Sequence, residues 1–227
     1  MIRRRIRSFV RRDSRITDGQ LAAFEKGWPI FGLSLEAGLI DYQQVFGRCA
    51  PCYLEIGFGA GNSLAAMAHQ DPQQDYLGVE MFKPGIGALL QQIATLALSN
   101  IRIYYADAVE VLEKCIPDES LAGIQIFFPD PWRKRRHHKR RLIQDKFVGL
   151  MLRKLKPGGT LHLATDWEDY AIQMLRVLSA EKQLSNLAGT AQFAARSLFR
   201  PLTTKFETRG VEEGRQTWEL QFAKQGK

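Results

Sequence analysis

The sequence predicts an α/β fold built on a mostly parallel, doubly wound sheet, and three observations carry that prediction. Short apolar strands alternate with helical stretches from Tyr53 onward, the pattern that lays helices on both faces of a parallel sheet. A glycine run, Gly57-Phe58-Gly59-Ala60-Gly61, joins the first of these strands to the first helix. Acids recur where successive strands end, at Glu55, Glu80, Asp107 and Asp130.

In chain order, residues 1–18 read as a basic arm, with seven Arg against Asp13 in the first fifteen positions. Such an arm binds phosphate, serves as an Arg-rich transit segment, or is disordered. Residues 19–50 read as an N-terminal helical cap region, with helix formers at Leu21-Ala22-Ala23-Phe24, a break expected at Trp28-Pro29 and a second start near Asp41. Residues 51–227 hold the main domain, and no linker divides the chain into separate globules. Its strands are expected at Tyr53 to Ile56, Tyr76 to Glu80, Ile101 to Tyr105, Ile124 to Phe128 and Thr160 to Ala164. Helices follow from Ser63, from Pro84 to about Leu98, and from Ala108 to Cys115. Ile143, Phe147, Leu150, Met151 and Leu155 form a helical stripe that Pro157-Gly158-Gly159 should end. Tyr170, Met174 and Leu178 share one face of a last helix. Beyond about Phe193 the pattern suggests antiparallel strands at Thr204 to Phe206 and Trp218 to Phe222, joined through Gly210 to Gly214 as a closing antiparallel hairpin.

Charge is concentrated. The chain carries +8 in total, the first fifteen residues +6 and residues 133–141 +7, so the remainder is a mildly acidic body at −5. Two basic segments on an acidic body point to a large polyanion. No apolar run reaches membrane-spanning length and no hydrophobic core follows the N-terminal charges, so a soluble protein without a membrane or a secretory signal is expected. Three cysteines, an odd number, indicate reduced thiols in a cytoplasm. Cys49 and Cys52 have the spacing of a zinc or redox pair, but no second pair accompanies them and they precede a strand, so no metal is expected.

Ile124 to Arg141 is the stretch around which the rest is organised. A buried strand surfaces into Pro129-Asp130-Pro131-Trp132, and seven of the next nine residues are Lys or Arg. Proline cannot donate to the ladder, so Asp130 and Trp132 sit on a stiff loop at the edge where open α/β sheets bind ligands. Trp132 either stacks on a base or packs against its own loop.

Gly57 and Gly59 allow a ligand close approach to backbone. The dinucleotide fingerprint is broken at Asn62, and Glu55 would repel a pyrophosphate but pair with an ammonium group. S-adenosylmethionine has that ammonium and no phosphate. Glu80 is placed to bind both hydroxyls of a ribose, and Asp107 to accept from an adenine amino group, although Asp107 also suits a helix N-cap.

The sequence resembles the bacterial tRNA (guanine-N7-)-methyltransferase family. The residues that carry the resemblance are Arg7-Ser8-Phe9-Val10-Arg11-Arg12, Leu54-Glu55-Ile56-Gly57-Phe58-Gly59, Gly78-Val79-Glu80, Phe128-Pro129-Asp130-Pro131-Trp132, Lys139-Arg140-Arg141, Ala164-Thr165-Asp166-Trp167 and Thr204-Lys205-Phe206-Glu207. Arg133 and Ser14 depart from it, standing where His and Gly are common. The resemblance implies a Rossmann-like class I methyltransferase domain and S-adenosylmethionine bound by Glu55, Glu80, Asp107 and Asp130. It also implies a tRNA guanine faced by Lys134, Asp166, Thr204, Lys205, Phe206 and Glu207, with RNA touched by Arg136, His137, His138, Lys139, Arg140 and Arg141. Asp130 is the expected catalytic residue, orienting the base beside the methyl. Asp166 either holds the Watson–Crick edge or caps the helix after it. The expected partner is tRNA, acted on by a cytoplasmic monomer or homodimer with no obligate protein partner.

Overall fold

The computed structural model describes residues 15–197, 200 and 213–226. The basic arm through residue 14 and the Thr204 to Glu207 segment therefore lie outside the described residues.

The first helix, α1 (Asp18–Phe31), starts at Thr17, whose hydroxyl accepts from the Gln20 N–H while the Gln20 side chain reaches back to the Thr17 N–H. It runs through Trp28-Pro29, where a break was expected. Pro29 lies in the last turn, where few hydrogen bonds remain to lose, and the Gly32 N–H still closes onto the Trp28 carbonyl. After it comes β1 (Gly32–Leu33), an edge strand too short to show in a pattern. The short α2 (Tyr42–Phe46) begins where expected, with the Asp41 carboxylate accepting from the Gln44 N–H at 3.1 Å.

Alternation then follows the prediction: β2 (Cys52–Ile56), α3 (Asn62–Gln70), β3 (Asp75–Val79), α4 (Lys83–Thr95), β4 (Ile101–Tyr104), α5 (Ala108–Lys114), β5 (Leu121–Phe127), α6 (Asp145–Lys154), β6 (Leu155–Thr165) and α7 (Glu168–Ala180). A 3₁₀ helix, Arg135–Arg140, intervenes before α6. One boundary is corrected. Leu155 already pairs with Leu121, and the register shifts before Thr160 meets Gly123, so Pro157-Gly158-Gly159 forms a bulge within β6 rather than a separator. Gly158 takes φ +76° there.

The sheet order is β1-β4-β3-β2-β5-β6 followed by two strands from the C-terminal part, β8 (Trp218–Lys224) and then β7 (Leu184–Asn186). The first six are parallel, and β8 runs antiparallel to both its neighbours. Its outer partner among the described residues is β7, which sequence pattern did not reveal. Strand order reverses between β2 and β5, the switch point where a crevice opens at the strand C-termini.

Two apolar layers sandwich the sheet. On one face α3, α4 and α1 contribute Leu64, Ile86, Leu89 and Phe24; on the other α5, α6 and α7 contribute Val111, Phe147 and Met174. Tyr170, Met174 and Leu178, the predicted stripe of α7, are fully buried. At about 1.5–3 kcal/mol per large side chain removed from water, these layers anchor the strand ends that carry the acids.

Candidate active site

Glu55, Glu80, Asp107 and Asp130 share the C-terminal edge of four adjacent strands, β2, β3, β4 and β5. Between β2 and α3 the chain turns through Gly57, Gly59 and Gly61, all at positive φ, a path that L side chains rarely follow. A residue missed in the sequence makes this turn possible from outside. A Cβ on Gly85, in the first turn of α4, would fall 2.0 Å from the Gly59 carbonyl oxygen, so only glycine lets α4 approach. The signal was present as a glycine just after Pro84 at a helix start, where glycine has no propensity advantage.

Glu80 braces the same turn. One carboxylate oxygen accepts from the Gly59 N–H at 2.8 Å, and the other from Met81 and Phe82 at 2.6 and 3.0 Å. Glu55 is 3% exposed, and its Oε2 has no hydrogen-bond partner. Burial, reinforced by the nearby charge of Glu80, pushes its carboxyl up to about 8. On the neighbouring strand its register partner Gln125 is also buried, and the Gln125 Oε1 likewise lacks a donor. Two donor-less oxygens on adjacent central strands suit a ligand that brings both N–H groups and positive charge. An ammonium fits that requirement and a phosphate does not. Asp107 does cap α5, its Oδ1 accepting from the Val109 N–H at 2.8 Å, and thereby stays at the strand end.

The Asp130 loop is built under strain. Phe128 and Trp132, on either side of Pro129-Asp130-Pro131, have φ of +51° and +49°. Bulky residues in the left-handed region persist only where surroundings force them. The Phe128 N–H continues the ladder onto the Ala164 carbonyl at 2.8 Å before the chain turns. Trp132 has the Arg140 guanidinium 4.8 Å above its ring and the His137 ring edge-on at 5.8 Å. Partial burial, then Arg136 and its neighbouring cations, hold the His137 imidazole below its ordinary range.

Arg141 departs from the expectation that it contacts RNA. Its side chain is 1% exposed; Nε donates to the Pro131 carbonyl at 2.9 Å, Nη1 to Gln173 at 2.6 Å and Nη2 to Asp169 at 2.5 Å, with the guanidinium 4.7 Å from the Tyr170 ring. It ties the Asp130 loop to α7, and no face remains for a phosphate. By contrast Lys134, Arg136, Lys139 and Arg140 are exposed, while His137 and His138 are half-buried.

Asp166 lies beyond β6 and pairs with Arg215 at 2.8 Å. It does not cap α7: Trp167 holds the cap position with no side-chain bond. Arg133 sits 4.7 Å over the Trp167 ring, linking the Asp130 and Asp166 loops. Arg215 was not singled out in the sequence, since no local pattern announces a partner 49 residues away. No group of three or more His, Cys, Asp or Glu suited to a metal occurs among the described residues, and no described helix is long and apolar enough to cross a membrane.

The strand order and the acid-lined glycine turn define a class I S-adenosylmethionine-dependent methyltransferase. Solved structures share the fold: the 16S rRNA methyltransferase KamB superposes with a TM-score of 0.59 at 14% identity, over 83% of this chain and 95% of that one. The aminoglycoside resistance methyltransferase NpmB1 gives 0.54 at 14%, over 85% and 94%. Residues 49–220 match a family model described as a putative methyltransferase. A tRNA (guanine-N(7)-)-methyltransferase of Alcanivorax borkumensis is 52% identical over 98% of this chain and 93% of its own length. Another from Ectopseudomonas mendocina is 53% identical with the same coverage. The chain belongs to the tRNA (guanine-N(7)-)-methyltransferase family.

Proposed function

We propose that this chain methylates N7 of the variable-loop guanine of tRNA, forming 7-methylguanosine with S-adenosylmethionine as methyl donor. The observation that carries the reading is the donor-less Oε2 of Glu55 at the glycine turn, with the strained Asp130 loop after the neighbouring strand leading towards a basic 3₁₀ helix. S-adenosylmethionine, when bound, supplies an electrophilic sulfonium methyl. Glu55 would hold its ammonium, Glu80 its ribose hydroxyls and Asp107 its adenine, with Gly57 and Gly59 giving room for backbone approach.

Guanine N7 has an in-plane lone pair and no proton, so the protein needs no general base. Its task is alignment, which alone can supply about 7–11 kcal/mol of the barrier. Asp130 orients the base and, with Asp166, counters the positive charge that grows on the purine. Lys134 meets the guanine O6 or a nearby phosphate. Thr204, Lys205, Phe206 and Glu207 complete the guanine site by family likeness. Arg136, Lys139 and Arg140, with His137 and His138 at the margin, hold the RNA backbone and position it without reading sequence.

In this reading residues 1–18 are a basic arm, 19–50 a cap and 51–227 the methyltransferase domain. The protein works in the cytoplasm as a monomer or homodimer without an obligate protein partner. The test is incubation with methyl-labelled S-adenosylmethionine and unmodified tRNA, followed by nucleoside analysis. Label in 7-methylguanosine from the variable loop is the expected result; label in another nucleoside, or none, refutes the assignment.

A further inference from the structure

A second cluster of buried charge lies on β6 and β8, beside the end of β5. Glu219 on β8 sits diagonally across from His162 on β6, because His162 pairs with Gln221 and side chains two apart on a strand share a face. Glu219 is 2% exposed, His162 8% and Arg200 0%. One carboxylate oxygen accepts from Arg200 Nε and Nη2 at 3.1 and 2.6 Å; the other accepts from His162 Nε2 at 2.8 Å and from the Ser197 N–H at 3.1 Å. Burial pushes this carboxyl up, but the bonds from His162 and Arg200 outweigh it and leave Glu219 below its ordinary range, hence ionised at neutral pH.

A buried ion cluster is a poor device for stability alone, since apolar side chains of similar volume would serve as well. Its neighbours indicate what it does. The Arg200 guanidinium lies 5.7 Å from the Phe127 ring centroid and 5.6 Å from that of Phe128, and the His162 ring meets Phe127 edge-on at 5.0 Å. Both side-chain donors that Glu219 holds thus lie against Phe127, the last residue of β5, and Arg200 also lies against Phe128 just beyond it. Phe128 is the left-handed one, two positions before Asp130. A strained backbone stays in place only if its surroundings over-determine it, and Phe128 has the Arg200 guanidinium over its ring.

We propose that Glu219 is a positioning residue for methyl transfer, holding Arg200 and His162 against the Phe127-Phe128 hinge that aims Asp130. This rests on the reading of Asp130 as the group that orients the base. Loss of the Glu219 charge weakens the carboxylate to which Arg200 Nε and Nη2 and His162 Nε2 all donate, so both side chains loosen their hold on the rings. Phe128 then relaxes and Asp130 turns away.

The test is a double-mutant cycle read as single-turnover methyl transfer to tRNA at saturating S-adenosylmethionine, with Glu219→Gln, Asp130→Asn and the pair together. Glu219→Gln is expected to slow transfer about tenfold or more, with the KM for tRNA within about threefold of the parent. In the Asp130→Asn background it should add less than about twofold, because both changes act through one group. Multiplicative slowing in the double variant, or a parental rate for Glu219→Gln while Asp130→Asn is slow, overturns the positioning role alone. A parental rate for Asp130→Asn overturns the reading of Asp130 itself, and the positioning role with it. Should Glu219→Gln fail to fold, His162→Gln removes the His162 contact with Phe127 while keeping the Arg200–Glu219 pair. The same cycle with that variant must show the same non-additivity, and multiplicative slowing there also overturns the proposal.

Discussion

Glu55 carries a carboxyl that burial and Glu80 push up to about 8, so in the cofactor-free protein at pH 7 it is mostly protonated. An ammonium seated against it would reverse the balance and expel the proton. Titration of S-adenosylmethionine at pH 7 in buffers of different ionisation enthalpy should therefore show release of close to one proton, and Glu55→Gln should abolish that release while weakening binding at least about tenfold. The sign for stability follows from the same shift. Because the folded form holds its proton more tightly than the unfolded chain, the cofactor-free protein loses stability as pH rises from the ordinary value of 4.5 through about 8, and melting curves of Glu55→Gln should lack this component. That a carboxylate stands two residues before the first glycine was legible in the sequence. That its Oε2 and the Gln125 Oε1 both lack donors was not, because register between β2 and β5 brings them together.

The glycine turn depends on how closely α4 approaches it, and Gly85 sets that distance. Gly85→Ala would drive a methyl into the Gly59 carbonyl, costing about 1–3 kcal/mol shared between folding and cofactor affinity. Chemical denaturation with and without S-adenosylmethionine separates the two shares; unchanged stability and affinity would mean that α4 can shift without consequence. Element positions were legible wherever periodicity was long. The strand and helix alternation from β2 to α7 was expected, and Tyr170, Met174 and Leu178 do face the core. Short or interrupted elements were not. Pro29 breaks no helix because it stands in the last turn, and β1 with two residues and β7 with three exist only through pairing to β4 and β8.

Across the whole molecule the basic segment at residues 133–141 divides into two populations. Arg136, Lys139 and Arg140 are exposed, whereas Arg141 is turned inward to fix the Asp130 loop. Neutralising Arg136, Lys139 and Arg140 should lower the slope of log affinity for tRNA against log salt by about 0.7–0.9 for each phosphate that is no longer neutralised. Arg141→Ala should leave that slope unchanged and instead remove about 1.5–3 kcal/mol of stability, as its charge-assisted hydrogen bonds disappear, measured by denaturant unfolding. A reduced slope for Arg141→Ala would return it to the RNA surface. By itself the sequence determined the α/β alternation, the acids at four strand ends and the concentration of positive charge, since periodicity, turn chemistry and charge runs are properties of neighbouring residues. Only the tertiary structure decided that Arg141 is a clamp, that Asp166 pairs with Arg215, and that Glu219 gathers His162 and Arg200 beneath Phe127 and Phe128. Those outcomes join residues far apart in the chain, and strand register and packing, not local pattern, select which of them meet.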